Sequence, residues 1–262
     1  MESKFEILGQ PNCCGAKTEE AKSLKSDLNE LPIAVIGAGP VGLAAAAHLV
    51  ERGQKFILLE AGTQVGSNIN EWSHVRLFSP WLYNMDKVAK KLLIKNGWNA
   101  PSLELLPTGK ELVELYLEPL ANLPEIQKNL ELNSKVISIS KKGLDKMKDV
   151  GRDQTSFVLY VEQEGTTKRI EAKAVIDATG TWSHPNPVNA DSIWTSEERS
   201  LHNHIFYGIP DIQGGQRERY IGKRVAVVGG GHSAINSILE LSELGNDIEI
   251  YWIMRKKKVE NA

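Results

Sequence analysis

Two short glycine-rich turns constrain this chain more than any other feature. The first, Gly37-Ala38-Gly39-Pro40-Val41-Gly42, follows the apolar, β-branched run Ile33-Ala34-Val35-Ile36 and opens a helix expected from Val41 to Arg52. The second, Gly229-Gly230-Gly231-His232-Ser233-Ala234, follows Val225-Ala226-Val227-Val228 and opens a helix expected to reach about Leu244. Gly53 marks the stop of the first helix, and Phe56 to Leu59 reads as the next strand. A strand from Asp247 to Ile253 is expected after the second helix. The two units begin about 190 residues apart, a repeated module and not a short-period solenoid. Strand, turn, helix and strand in that order build a parallel sheet with helices on its faces, so the expected class is α/β.

Between the units the pattern is mixed. Residues 84–94 and 109–122 have helical spacing, the second opened by Thr108 as N-cap with Glu111 at its N3 position. Lys135 to Ile139, Ser156 to Val161 and Lys168 to Lys173 alternate as strands, with Glu164-Gly165 turning between the last two. They read as a β-meander inserted in the first unit. Ala174 to Ala178 is a further buried strand, and Pro185, Pro187 and Pro210 punctuate a connector. Residues 1–30, polar and irregular, read as a flexible arm; 31–187 form the first domain, and 188–262 the connector and part of a second.

Composition excludes several classes. Thirty-one Lys and Arg against thirty-three Asp and Glu leave a net charge of −2, no global field for nucleic acid or an anionic membrane. Two cysteines cannot build a disulfide scaffold, and the six histidines lack ligand spacing, so no metal site is expected. Leu31 to Val50 is twenty residues without a formal charge, long enough to span a bilayer, but Gly37, Gly39, Pro40 and Gly42 break it. The first residues lack the basic and apolar regions of a secretory signal, and a cytoplasmic location is expected.

The turns carry specific physics. Gly37 permits a tight turn, Gly39 removes a side chain where a pyrophosphate must approach, and Gly42 lets the helix pack closely. The helix N-terminus, with Pro40 in its first turn, offers free N–H groups and a partial positive charge. Glu60, eighteen residues after Gly42, stands where a carboxylate can accept hydrogen bonds from ribose hydroxyls. The second turn has Ala234 in the third glycine position, which the dinucleotide fingerprint allows. Its second strand ends not in an acid but in Arg255-Lys256-Lys257-Lys258, cations that would pair with a 2′-phosphate and favour NADP over NAD. A merely solvated basic run is the bland alternative.

One acidic and one basic dinucleotide turn in a single chain resemble the two-dinucleotide-binding flavoproteins, among them flavin-containing monooxygenases, Baeyer–Villiger monooxygenases and thioredoxin-reductase-like enzymes. Ile176-Asp177-Ala178-Thr179-Gly180-Thr181-Trp182 resembles the family's ATG segment, and Glu60 through Gly66 to Trp72 the stretch running toward the flavin. The resemblance covers about residues 31–258. It implies a Rossmann-like FAD-binding domain over 31–187 with the meander inserted, then the start of a second Rossmann-like NADP-binding domain. It implies FAD held by Gly37, Gly39, Pro40, Gly42, Glu60, Trp72, Thr179 and Gly180, with Val136 near the adenine. NADP would be held by Gly229, Gly231, His232, Ser233 and Arg255, and a small-molecule substrate is implied.

No cysteine follows Cys14, which removes the dithiol thioredoxin-reductase branch. His202 and Phe206 match half of a monooxygenase fingerprint, while Ser196 and Glu198 stand where its Phe and Gly should be. The expected activity is NADPH-dependent flavoprotein oxidoreduction of monooxygenase type, with hydride passing from NADPH to FAD and then to oxygen or another acceptor; the alternative is a truncated nucleotide-binding or interaction protein without full catalytic activity. The second unit stops short of a full mononucleotide-binding half, which reads as truncation of a longer chain. No residue is expected as catalytic acid or base. Cys13-Cys14 is either a soft-metal or redox pair or two inert thiols. His232 either touches the nicotinamide nucleotide or simply starts a helix. Trp72, Trp81 and Trp98 either wall a ring pocket or pack the core.

Overall fold

The computed structural model of the protein describes residues 28–245 and 247–255. Strand β1 (Ile33–Ile36) lies parallel between β2 (Phe56–Leu59) and β7 (Ala174–Asp177), and the two-residue β3 (Leu130–Glu131) extends the sheet beyond β2. The register aligns Val35 with Leu58 on one side and with Ile176 on the other. A strand flanked on both edges and covered on both faces needs apolar side chains throughout, which is why Ile-Ala-Val-Ile carries no alternation. Sequence reading missed β3: two residues between Asn129 and Asn133 are too short to show a period.

Helix α1 (Pro40–Glu51) covers one face, burying Leu43, Ala46 and Ala47, small enough for close approach. Below it packs α2 (Lys87–Lys95), shorter at its start than the expected 84–94 because Asp86 caps it. Asp86 Oδ1 accepts from the N–H groups of Val88 and Ala89 at 2.9 and 3.0 Å, and Oδ2 lies 3.2 Å from His48 Nε2 on α1. Burial works against the Asp86 carboxylate, but those N–H groups and His48 outweigh it and hold its pKa below the ordinary aspartate value. The Asp86 N–H donates to the hydroxyl of Tyr116, whose pKa burial pushes up to about 12.

The segment expected as one helix over 109–122 opens with the expected capping box at Thr108 and Glu111, then breaks into a π turn, Val113–Leu117, before Glu118–Ala121. Pro119 has no N–H for the carbonyl of Leu115. The indole of Trp98 takes that place, donating to Leu115 O at 2.9 Å.

The other sheet face is covered by the meander: β4 (Lys135–Lys141), β5 (Phe157–Gln163) and β6 (Thr166–Ala172), antiparallel in that order. Glu164 and Gly165 turn between β5 and β6 with φ of 50° and 75°, the left-handed pair a two-residue hairpin favours. Leu159, Val161 and Ala172 pack on Ala34, Ile36 and Leu59. The first unit is thus three layers: helices, parallel sheet, meander.

In the second unit β8 (Arg224–Val228) pairs parallel with β9 (Glu249–Ile253), and α3 (His232–Ser242) crosses between them. β9 starts two residues after the expected Asp247. A small core of Ile212, Tyr220 and Leu241 with Val225, Val227 and Ile250 holds the unit together. Among the described residues no helix is long and apolar enough to cross a membrane.

Candidate functional site

The three glycines of the first turn differ in what requires them. Gly37 has φ of +94°, and a Cβ there would lie 2.7 Å from the carbonyl oxygen of Ala178. At Gly42 a Cβ would fall 1.8 Å from the oxygen of Gly37. Both are demanded by the fold. Gly39 is not: its φ is an ordinary −82°, and a Cβ would meet nothing within 4 Å. Pro40 follows at the first helical position, and no side chain caps α1. Asp86 and Thr108 cap the helices they precede, whereas Gly39 leaves the first-turn N–H groups of α1 without a side-chain acceptor and beside open space. Those features fit an anionic group approaching the backbone.

Glu60 is 9% exposed, and its carboxylate braces the turn. Oε2 accepts from the N–H of Ala38 at 2.6 Å and Oε1 from that of Gly62 at 2.8 Å. The side chain expected to meet a ribose therefore also holds the turn in shape, with lone pairs to spare. Ala178 and Thr179 pack against Gly37, bringing the ATG segment to the turn across the sheet. The Thr179 N–H and Oγ1 both donate to Asp177 Oδ1, at 3.1 and 2.8 Å, and Gly180 turns with φ of +68°. Val136 sits half-buried at the start of β4, against the meander-side core.

In the second turn Gly229 has φ of +132°; its N–H donates to Ile253 O at 2.9 Å and its oxygen accepts from the Trp252 indole at 2.7 Å. Gly231 precedes α3 as Gly39 precedes α1: no side-chain cap, and nothing within 4 Å of a Cβ. Ser233 and His232 are exposed in the first turn of α3. Arg255 is exposed two residues past β9, at the strand end that carries the glycine turn. Lys256, Lys257, Lys258, Cys13 and Cys14 lie outside the described residues.

A cavity of about 330 Å³ lies where the start of α3 meets Trp72 and the 75–79 segment of the first unit. Trp72, Phe78 and Trp182 line it from the first unit and the start of the connector, and His232, Ser233 and Asn236 from α3. The Phe78 and His232 rings stack at 4.3 Å and 14°. Trp182 stands 6.3 Å from Trp72 and donates from Nε1 to Glu71 Oε2 at 2.6 Å. Of the three tryptophans considered from sequence, only Trp72 lines this cavity. Trp81 is buried in the helical core and Trp98 braces the π turn. Sequence reading missed Phe78 and Asn236, which no motif marks. His202 pairs instead with the Arg199 carbonyl, and Glu198 accepts from the Val188 N–H and the Tyr207 hydroxyl, tying the connector together.

Comparison with known proteins gives the family. The model for pyridine nucleotide-disulphide oxidoreductases matches residues 34–262. The flavin-containing monooxygenase FMO GS-OX-like 9 of Arabidopsis thaliana is 25% identical, over 83% of this chain and 50% of its own length. A ferredoxin–NADP reductase of Rickettsia typhi is 27% identical, over 86% of this chain and 54% of its own. Among solved structures, OTEMO in complex with FAD and NADP aligns with a TM-score of 0.55 at 21% identity, covering 86% of this chain and 39% of that one. The bacillithiol disulfide reductase Bdr of Bacillus cereus aligns with 0.56 at 20%, covering 85% and 58%. Both structures share the fold. The chain spans about half the length of the curated relatives it matches. With its two uncapped glycine turns in one α/β frame, the chain belongs to the pyridine nucleotide-disulphide oxidoreductase family.

Proposed function

We propose that this chain is the nucleotide-binding part of an NADPH-dependent flavoprotein oxidoreductase of monooxygenase type, with FAD on the first turn and NADP on the second. One observation carries the reading: Gly39 and Gly231 each leave open space at an uncapped helix N-terminus, and a cavity walled by aromatic rings of the first unit borders the second of them. In this reading residues 31–187 form the FAD domain and 188–262 the connector and part of the NADP domain. The substrate is a small molecule, and the setting is the cytoplasm.

The chain's part is binding and shielding. Gly37, Gly39, Pro40 and Gly42 bring the N-terminal N–H groups of α1 to a pyrophosphate, and Glu60 accepts from ribose while keeping its brace on Ala38. Thr179 and Gly180 stand beside the same turn, Trp72 lies toward the flavin, and Val136 lies toward the adenine. Gly229, Gly231, His232 and Ser233 present the N-terminus of α3 to the second nucleotide, and Arg255 pairs with its 2′-phosphate. The chemistry these groups supply when bound is hydride donation by the nicotinamide, acceptance by the flavin, and delivery to oxygen or another acceptor. Trp72, Trp182 and Phe78 present apolar rings to the cavity beside α3.

Gly39→Val tests the placement. Its Cβ meets nothing in the protein, so the variant folds, as circular dichroism and thermal unfolding report. It narrows the cradle, so flavin absorbance is lost from the purified protein. A folded variant with full flavin content would place FAD elsewhere.

A further inference from the structure

Phe78 sits on a rigid mount. Before it, Val75 is buried, Arg76 bridges to Thr108, and the Leu77 N–H donates to Pro107 O at 2.8 Å. After it, the amide of Asn84 uses both of its ends. Its Oδ1 accepts from the Ser79 hydroxyl at 2.8 Å, and its Nδ2 donates to the carbonyls of Ser79 and Pro80 at 2.6 and 3.0 Å. The backbone is thus pinned on both sides of Phe78, yet the side chain lies outside the buried cores and is 70% exposed. Its ring rests on the other unit, stacked on His232 with centroids 4.3 Å apart and planes 14° from parallel.

His232 is tied as firmly to the second turn. It is the first residue of α3, and the N–H groups of Ala234 and Ile235 both donate to Gly231 O, at 3.1 and 3.2 Å. Ala234, Ser237 and Leu241 are the buried residues of that helix, and Leu241 seats it in the core of its own unit. A shift of His232 therefore carries Gly231 with it. Two units joined by a connector move relative to each other unless a contact holds them.

We infer that Phe78 is a positioning residue: its stack on His232 holds the second glycine turn at a fixed distance from the first unit. Loss of one stacked ring pair raises the ratio of displaced to docked molecules about fivefold. The consequence for chemistry rests on the nucleotide assignment proposed above. Hydride transfer needs its two rings held about 3.5 Å apart, so slack at His232 slows the transfer while each nucleotide keeps its own contacts. The positioning itself does not depend on which nucleotides the turns hold.

Two experiments test it, the first without any nucleotide. In a Cys13→Ser, Cys14→Ser background, spin labels on Glu162→Cys in β5 and Glu243→Cys at the end of α3 report the distance between the units by double electron–electron resonance. Both positions are exposed. Phe78→Ala and His232→Ala should each raise the ratio of displaced to docked molecules about fivefold, and the double variant no further than either single one. His232→Phe, which keeps a flat ring, should match the parent. An unchanged distribution in Phe78→Ala, additive effects in the double variant, or a displaced population in His232→Phe would each overturn the positioning role. The second experiment follows flavin reduction by NADPH in FAD-loaded protein by stopped flow. Phe78→Ala should be about tenfold slower at saturating NADPH with its Kd for NADPH held, and Phe78→Tyr should match the parent. Reduction as fast as in the parent would overturn the consequence for chemistry. Protein that takes up neither FAD nor NADPH would remove the nucleotide assignment, and the spin labels alone would then decide the role of Phe78.

Discussion

The strand Ile33-Ala34-Val35-Ile36 and the strand core Val225-Ala226-Val227-Val228 are nearly interchangeable as sequences, and each runs into a glycine turn. Their surroundings are not alike. β1 has neighbours on both edges and layers on both faces, and Ile36 is 6% exposed; β8 pairs only with β9 among the described residues, and Val228 is 51% exposed. Tyr251 and Ile253 on β9 are bare on that same sheet. Burial is therefore a property of what stacks on a strand, not of the strand. The turns differ in the same way. In the first, α1 presses against the turn so closely that its third position must be Gly42. In the second, the Cβ of Ala234 sits 3.8 Å from where a Cβ on Gly229 would be, ordinary contact.

The largest test of that contrast exchanges the third position. Gly42→Ala forces a Cβ onto the Gly37 carbonyl and should cost about 3 kcal/mol or more, the range of severe overpacking. Ala234→Gly should cost only about 1 kcal/mol, the helix propensity difference. Urea unfolding of the two variants compares them directly, and equal losses would mean the turns are equally tight.

Next is the charge that separates the two strand ends. Arg255→Glu replaces attraction for a 2′-phosphate by repulsion and should weaken NADPH binding by about 2 kcal/mol, roughly thirtyfold, while NADH binding holds or improves. Titrating both coenzymes decides it. Equal loss for both would remove the 2′-phosphate assignment, and no loss for either would leave Arg255 solvated.

Matched threonines probe the strands. Ile36→Thr buries a hydroxyl and removes a methyl group, for a loss of about 2 kcal/mol, whereas Val228→Thr should change stability by no more than about 0.5 kcal/mol. Thermal melts of both variants suffice; similar shifts would show the second sheet to be as closely covered as the first.

The smallest effect concerns helix starts. Asp86→Ala should cost about 1 kcal/mol at neutral pH, the typical worth of an N-cap. Asp86 has a depressed pKa, so its stabilisation is complete above the ordinary aspartate value of about 3.9 and is lost as pH falls through the lower folded value. The gap between variant and parent should close in acid unfolding series. A gap independent of pH would mean that the carboxylate's charge does not contribute.

Much was legible without coordinates because it is local chemistry. The two glycine turns, the Thr108–Glu111 capping box, the Asn-free Glu164-Gly165 hairpin turn and the strand alternation of the meander each depend on neighbours within a few residues. The π turn was not legible, because Pro119 signals a missing N–H but not that Trp98 supplies a substitute. Nor was the second duty of Glu60, whose brace on Ala38 forms only when β2 lies beside β1.

The sequence by itself determined the α/β class, the places where backbone N–H groups are left without side-chain caps, and the sign of charge at each strand end. Those follow from φ preferences, side-chain size and formal charge, all carried by the residues concerned. Only the tertiary structure decided that Phe78 meets His232 and that Trp182 reaches Glu71. Those contacts join segments more than a hundred residues apart, and the partner is selected by which helix face and which sheet edge the packing brings together.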